Sequence, residues 1–94
     1  MVPYPVQIGR IAVSKAGRDT GRVFVILEVI DTHYVYIVDG DLRKMDRPKK
    51  KKLKHLKLTD NILENIEQKL REGTKVFDAE IRSAIRSLQS GSDA

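Results

Sequence analysis

The sequence predicts a mainly β fold, a small barrel, followed by two short C-terminal helices. Residues 8–41 contain three apolar runs rich in β-branched residues, and glycine-containing polar turns join them. Beyond residue 58 the apolar residues recur at helical spacing instead. With 94 residues, 40% of them apolar, the chain suffices for one domain with one core. We therefore expect a barrel over residues 1–58 and a helical extension over residues 59–94.

The predicted strands follow the two-residue alternation of apolar side chains. Residues 1–7 contain two prolines and form an extended lead-in, and residues 8–13 form a first strand whose alternation places Arg10 near its outer side. Residues 22–30 are apolar on both faces, which indicates a strand that other elements cover on each side. After a short polar turn, residues 34–38 return as the partner strand of a hairpin.

The segment SKAGRDTG, residues 14–21, has the composition of a turn. Gly17 and Gly21 make positive φ angles available, and the needs of turn geometry alone would account for both. The same loop presents three cations: Lys15, Arg18 and Arg22. Without further information this cluster is equally an ordinary solvated loop that Asp19 partly neutralises.

A second turn signal, Asp39-Gly40-Asp41, follows the hairpin. We expect its carboxylates to pair with Arg43 or Lys44 rather than to form a catalytic pair, because no histidine, cysteine or nearby glutamate completes a catalytic set.

Residues 42–58 form a basic segment with nine Lys or Arg and one Asp, a net charge of +8, whereas the flanking parts are close to neutral. Residues 42–45 are expected to form a short strand, and Pro48 is expected to break the pairing after it. The four lysines at 49–52 should then stay solvated or await a counter-charge, and they would also suit a disordered connector. Leucines in the last six residues of the segment are expected to anchor a final short strand.

Such a concentration of positive charge is typical of proteins with a polyanionic partner, because each neutralised phosphate releases condensed counterions. Nucleic acid is the leading partner class, and an anionic membrane surface is the next. A stretch of this kind also resembles a nuclear localisation signal, which is a pattern with many false matches in basic proteins.

Two amphipathic helices are predicted after the basic segment. The first is expected to begin at Thr59 or Asp60 and to end at Gly73. The second is expected to begin with Asp78 as its cap and to carry an apolar stripe at helical spacing. Both stripes are most simply core, with a protein-binding surface as the alternative.

Several classes of site are not expected. The chain has no cysteine and two isolated histidines, so a zinc site is not predicted. His33 lies in a turn, and lysines flank His55 and should depress its pKa, so neither is expected to act as a ligand or base. Neither a signal peptide nor a membrane-spanning apolar run is recognisable, which predicts a soluble cytoplasmic protein.

The sequence SKAGRDTGRVFVILEVID, followed by YVYIVDGDLRK, resembles the KOW motif of ribosomal and transcription-associated proteins, in which a basic glycine loop joins two strands of an SH3-like barrel. Gly21 stands where that motif has its characteristic glycine. VDGDLRK and PKKKKLKHLKLT strengthen the likeness to KOW-containing proteins of the large ribosomal subunit in archaea and eukaryotes and to their small bacterial relatives. The resemblance covers roughly residues 8–60.

The resemblance implies a non-enzymatic RNA-binding protein that contacts ribosomal RNA, as a ribosomal component or an assembly factor, without cofactor, metal, membrane or small-molecule substrate. Basic loops would read phosphates, 2′-hydroxyls and shape in preference to base edges. The expected RNA-binding residues are Arg10, Lys15, Arg18, Arg22, Arg43, Lys44, Arg47, Lys49, Lys50, Lys51, Lys52, Lys54 and Lys57. Two alternatives are a transcription-linked module that contacts RNA polymerase or another protein, and an SH3-like adaptor that binds an acidic peptide.

Overall fold

The computed structural model describes residues 5–91 and contains five antiparallel strands followed by two helices. The strands are β1 (Arg10–Ser14), β2 (Val23–Val29), β3 (Tyr34–Val38), β4 (Lys49–Lys52) and β5 (Leu56–Ile62), and the helices are α1 (Glu64–Glu72) and α2 (Asp78–Gly91). A 3₁₀ turn (Leu53–His55) joins β4 to β5. The prediction of a mainly β fold with two C-terminal helices is confirmed. Of the predicted lead-in, residues 1–4 lie outside the described residues.

One sheet, in the order β4-β3-β2-β1-β5, encloses the interior of a small barrel-like domain. Its inner face carries buried apolar side chains from four strands: Ala12, Phe24, Ile26, Val35, Ile37, Leu56 and Leu58. Cross-strand pairs such as Ala12 with Phe24 and Ile26 with Ile37 keep these residues on the same face. The pairing of β1 with β5 places the first strand beside the last, as a rolled sheet requires.

The outer face of β1, β2 and β3 is covered by the helices, so the expectation that β2 has cover on both faces is confirmed. Ile11, Val25 and Val38 of the sheet pack against Ile66 of α1 and Ile81 of α2, with further buried residues around them. Burying each such side chain stabilises the fold by ~1.5–3 kcal/mol. The apolar stripes of the helices are therefore core.

The first helix begins later than the sequence predicts. Instead of ending near residue 58, β5 runs to Ile62, which pairs with Arg10 of β1. The hydroxyl of Thr59 donates to the carbonyl oxygen of Ile11 and thereby joins the sheet instead of capping a helix. The helix begins at Glu64 and ends, as predicted, at Gly73, whose φ is +76°.

The second helix begins at Asp78, as predicted, but the Asp78 carboxylate does not cap it. Oδ1 of Asp78 accepts a hydrogen bond from the backbone N–H of Met45, 2.7 Å away in the β3–β4 connection. The start of α2 is closed instead by Glu80, which accepts from the backbone N–H of Phe77 at 3.0 Å. Within the described residues, no helix is long and apolar enough to cross a membrane.

The basic segment also folds differently from the prediction. Residues 42–45 form turns and bends rather than a strand, whereas Lys49–Lys52 form β4 and pair with β3. Pro48 stands just before β4, where its missing N–H removes no ladder bond, so it introduces the strand instead of ending the sheet. The predicted strand over the following leucines begins only at Leu56, after the 3₁₀ turn.

Candidate nucleic-acid interface

The β1–β2 loop is held in a defined shape by its glycines and by internal hydrogen bonds. Gly17 and Gly21 have φ angles of +84° and +88°, which confirms the predicted positive φ. The N–H of Gly21 donates to the carbonyl oxygen of Ser14 at 2.7 Å, and the Thr20 hydroxyl donates to that of Gly17 at 2.6 Å. The exposed side chains of Lys15 and Arg18 therefore project from a fixed backbone.

The inward-facing lysines of β4 are partners of this loop: Lys51 is buried and not solvated as expected, whereas Lys49 has a counter-charge within the protein. The Lys51 side chain is only 7% exposed, and its ammonium donates to the carbonyl oxygen of Ala16 at 3.1 Å. Lys49 lies 3.2 Å from the largely buried carboxylate of Asp19, in the middle of the loop. The guanidinium of Arg43 approaches the same carboxylate at 3.9 Å. These three cations consequently fix the loop against the sheet.

The outward-facing lysines of β4 are exposed beside an aromatic ring. The register pairs Lys52 with Tyr34 and Lys50 with Tyr36. Both ammonium groups lie over the Tyr34 ring, with the nitrogen of Lys50 at 4.6 Å and that of Lys52 at 6.0 Å from the ring centroid. The ammonium groups of the two lysines thus lie at the solvent-facing edge of the barrel.

The 3₁₀ turn brings further positive charge to the same edge. The N–H of Lys15 donates to the carbonyl oxygen of His55 at 2.9 Å, so the β1–β2 loop and the turn are in contact. Partial desolvation and the neighbouring charges, with Lys54 first among them, hold the pKa of His55 below its usual range. The exposed cations of this edge, here called the basic rim, are Lys15, Arg18, Lys50, Lys52 and Lys54.

Asp39, in the turn after β3, holds the C-terminal end of the β1–β2 loop. Its side chain is 6% exposed; Oδ2 accepts from Nε of Arg22 at 2.8 Å, and Oδ1 accepts from the backbone N–H groups of Asp41 and Arg43. Burial alone would raise the pKa of Asp39, but these hydrogen bonds outweigh it and lower the pKa. Nη2 of Arg22 also lies 3.3 Å from Asp41. The side-chain partner of this turn is therefore Arg22, and the expected pairing with Arg43 is made by the backbone N–H of that residue and not by its guanidinium.

The other predicted cations lie elsewhere. Arg10 is 5% exposed and donates from Nη1 to the carbonyl oxygen of Thr59 at 2.7 Å, so its predicted position on the outer side is wrong. By the alternation of β1, Arg10 shares a face with Ala12, which is fully buried in the inner cluster, so the face that was expected to be the outer one is the inner one. Lys44 and Arg47 are exposed in the β3–β4 connection, and Lys57 is exposed on β5.

Sequence reasoning missed Arg82 and Arg86 of α2. Nη1 of Arg82 donates to the carbonyl oxygen of Gly40 at 2.7 Å, which links the helix to the turn that holds Arg22. Both arginines line an open cleft beside the β1–β2 loop. The sequence signal that could have identified the two arginines is their spacing of four residues, which places them on the same side of the helix next to the buried stripe. In the part of the chain that the structure describes, no group of three or more His, Asp or Glu side chains is placed to hold a metal ion.

No protein-family model matches the chain. Among curated proteins, the chain is 34% identical over 59 residues to large ribosomal subunit protein eL14 of Methanococcus vannielii, and the matched region covers 63% of this chain and 70% of that protein. It is 36% identical over 55 residues to the eL14 of Desulfurococcus amylolyticus, covering 58% of this chain and 57% of that protein. With the eL14 of Staphylothermus marinus the identity is 32% over 59 residues, covering 63% and 62%.

The chain thus spans 57% to 70% of the length of these three relatives. The matches agree with the resemblance to KOW-containing ribosomal proteins and confirm it. Because the chain is 34% identical to the Methanococcus vannielii protein and covers 70% of it, the chain belongs to the family of large ribosomal subunit protein eL14.

Proposed function

We propose that the protein is a non-enzymatic component of the large ribosomal subunit that binds ribosomal RNA through the basic rim. The family supports the ribosomal part of this proposal, because the matched relatives are large-subunit proteins. The observation that carries the RNA-binding part is the meeting of the β1–β2 loop with β4 and the 3₁₀ turn, which gathers the exposed cations at one edge of the barrel.

The charge arrangement favours recognition of the phosphate backbone. The rim cations are four lysines and one arginine, and two of them, Lys15 and Arg18, stand on the loop that the hydrogen bond from Gly21 to the carbonyl oxygen of Ser14 holds in shape. Lysine ammonium groups act as point charges toward phosphate, and a rigid basic edge can follow RNA shape without reading bases. We expect binding in which phosphate contacts supply most of the affinity.

The partner is tested by ultraviolet crosslinking in the native cells, followed by sequencing of the attached RNA. Crosslinks concentrated in one region of large-subunit ribosomal RNA, and mapping on the protein to residues 15–22 and 49–54, would support the proposal. Crosslinks scattered over messenger RNAs, or none, would contradict it and would favour a transcription-linked or protein-binding role. A location on cytoplasmic ribosomes is part of the same proposal.

The site is tested in vitro with an RNA hairpin whose stem has about 16 base pairs. The variant Lys52→Gln/Lys54→Gln removes two exposed rim charges, and the log–log salt slope of binding should fall by ~0.7–0.9 for each phosphate that is no longer neutralised. We therefore expect a slope lower by about 1.4–1.8. The control Arg71→Gln/Lys75→Gln makes the same change in charge at exposed positions in and after α1. An equal reduction in both variants would show that net charge, and not the rim, governs binding.

A further inference from the structure

A cleft of about 490 Å³ lies between α2 and the C-terminal end of the β1–β2 loop. Helix α2 lines it with Arg82, Arg86 and Gln89, and the loop lines it with Gly21 and Arg22. Because Ile81 and Ile85 are buried against the sheet, the arginine at the next position after each of them lies along the exposed margin of the helix. The volume is within the range of pockets that hold small ligands.

The wall of the cleft at Gly21 is bare backbone. A Cβ atom built at Gly21 would have no heavy atom within 4 Å, so the residue faces open space. Its neighbour Arg22 is held in place by two carboxylates, Asp39 at 2.8 Å and Asp41 at 3.3 Å. A ligand can therefore approach the loop backbone closely, beside a guanidinium that is already oriented.

The chemistry of the lining favours an anion. Three arginines face two aspartates among the described lining residues, and Arg22 already engages both aspartates. Two of the three guanidinium groups that line the cleft therefore stand on α2. Guanidinium groups bind phosphate with paired hydrogen bonds more readily than ammonium groups do. The cleft also adjoins the β1–β2 loop, two of whose cations belong to the basic rim.

We propose that the cleft is a second RNA contact, in which Arg82 and Arg86 of α2 receive a backbone phosphodiester beside Gly21. This inference rests on the RNA-binding function proposed above. It assigns to the helical segment a direct part in recognition, next to the β1–β2 loop that carries Lys15 and Arg18 of the basic rim. An RNA strand that crosses the loop would touch both the cleft and the rim.

The test uses the same RNA hairpin, the full chain and three variants. Arg86→Gln removes an exposed charge from the cleft, and Arg86→Lys keeps the charge but not the paired donors. Arg71→Gln is the matched control on α1, an exposed arginine that pairs with Glu67 and does not line the cleft. Arg82 is left unchanged because its bond to Gly40 also supports the fold. Thermal melting of each variant shows whether the fold is intact.

We expect Arg86→Gln to lower the salt slope by ~0.7–0.9 and to weaken binding about three- to tenfold at ~0.1 M salt. Arg86→Lys should keep the slope and recover part of the affinity, and Arg71→Gln should change both by less than half as much. If Lys52→Gln/Lys54→Gln weakens binding while Arg86→Gln does not, the cleft proposal is overturned and the rim proposal stands. If the unaltered protein does not bind the hairpin, both proposals are overturned.

Discussion

The contact between α2 and the β3–β4 turn can be tested by adding a single methyl group. Gly40 has a φ of +78°, and a Cβ atom built there would lie 2.4 Å from the carbonyl oxygen of Asp78. Gly21 has a similar φ of +88°, but a Cβ atom there would meet nothing within 4 Å. The two glycines therefore share a backbone conformation and differ in their surroundings.

The cost of the left-handed conformation is common to Gly21→Ala and Gly40→Ala. It amounts to ~1–2 kcal/mol, and the lower entropy of the unfolded alanine chain offsets ~0.4–1 kcal/mol of it. We expect Gly21→Ala to lower the free energy of unfolding by about 1 kcal/mol. At Gly40 the methyl group must push α2 away or distort the turn, and overpacking of this kind costs a further ~1–3 kcal/mol.

The assay is thermal and urea denaturation followed by circular dichroism. The additional cost at Gly40 corresponds to a Tm lower by roughly 5–20 °C than that of Gly21→Ala for a domain of this size. Equal stability of the two variants would refute the packing of α2 against the turn. A loss of helical signal in Gly40→Ala at temperatures where the strands persist would mean that the helices unfold separately from the barrel.

Two further predictions concern buried ionic groups. The pKa of Asp39 is lowered in the folded state, so its contribution to stability is complete above the unfolded-state pKa near 3.8 and is lost as the pH falls through the folded-state pKa. In the variant Asp39→Asn the ion pair with Arg22 is absent at every pH. The Tm of this variant should therefore decrease less on acidification than the Tm of the unaltered protein. Lys51→Gln should lower the free energy of unfolding by about 1–2 kcal/mol in urea denaturation, because it removes the charged donor to the carbonyl oxygen of Ala16. The control Lys50→Gln should change the free energy of unfolding by less than ~0.5 kcal/mol, and equal effects of the two variants would contradict the inward orientation of Lys51.

The strands that carry clear apolar alternation were predictable from the sequence. The run VFVILEV identified β2 and its two covered faces, and the later run YVYIV identified β3. Positive φ at Gly17 and Gly21 followed from turn chemistry. These features depend on residues within a few positions of one another, which is why local reasoning was sufficient.

The errors concern contacts between residues far apart in the sequence. Four identical lysines give no alternating pattern, so neither the strand β4 nor the inward direction of Lys51 is visible before the loop 35 residues away is in place. Thr59 has the chemistry of a helix cap, but a hydrogen bond to Ile11, 48 residues away, retains it in β5. The burial of Arg10 depends on its hydrogen bond to Thr59, 49 residues away.

Among the predicted RNA-binding cations, those paired with buried acids and those of the basic rim have different physical roles. Asp19 of the β1–β2 loop holds Lys49 of β4, and Asp39 of the turn after β3 holds Arg22 at the end of the loop. A cation that already neutralises a buried carboxylate contributes little further attraction for phosphate, but it holds the loop in one conformation. A loop that is ordered before binding loses less conformational entropy when it meets RNA. If the proposed RNA-binding function holds, we expect the paired cations to act on affinity through the rigidity of the loop, and the exposed cations of the basic rim to act on it through charge.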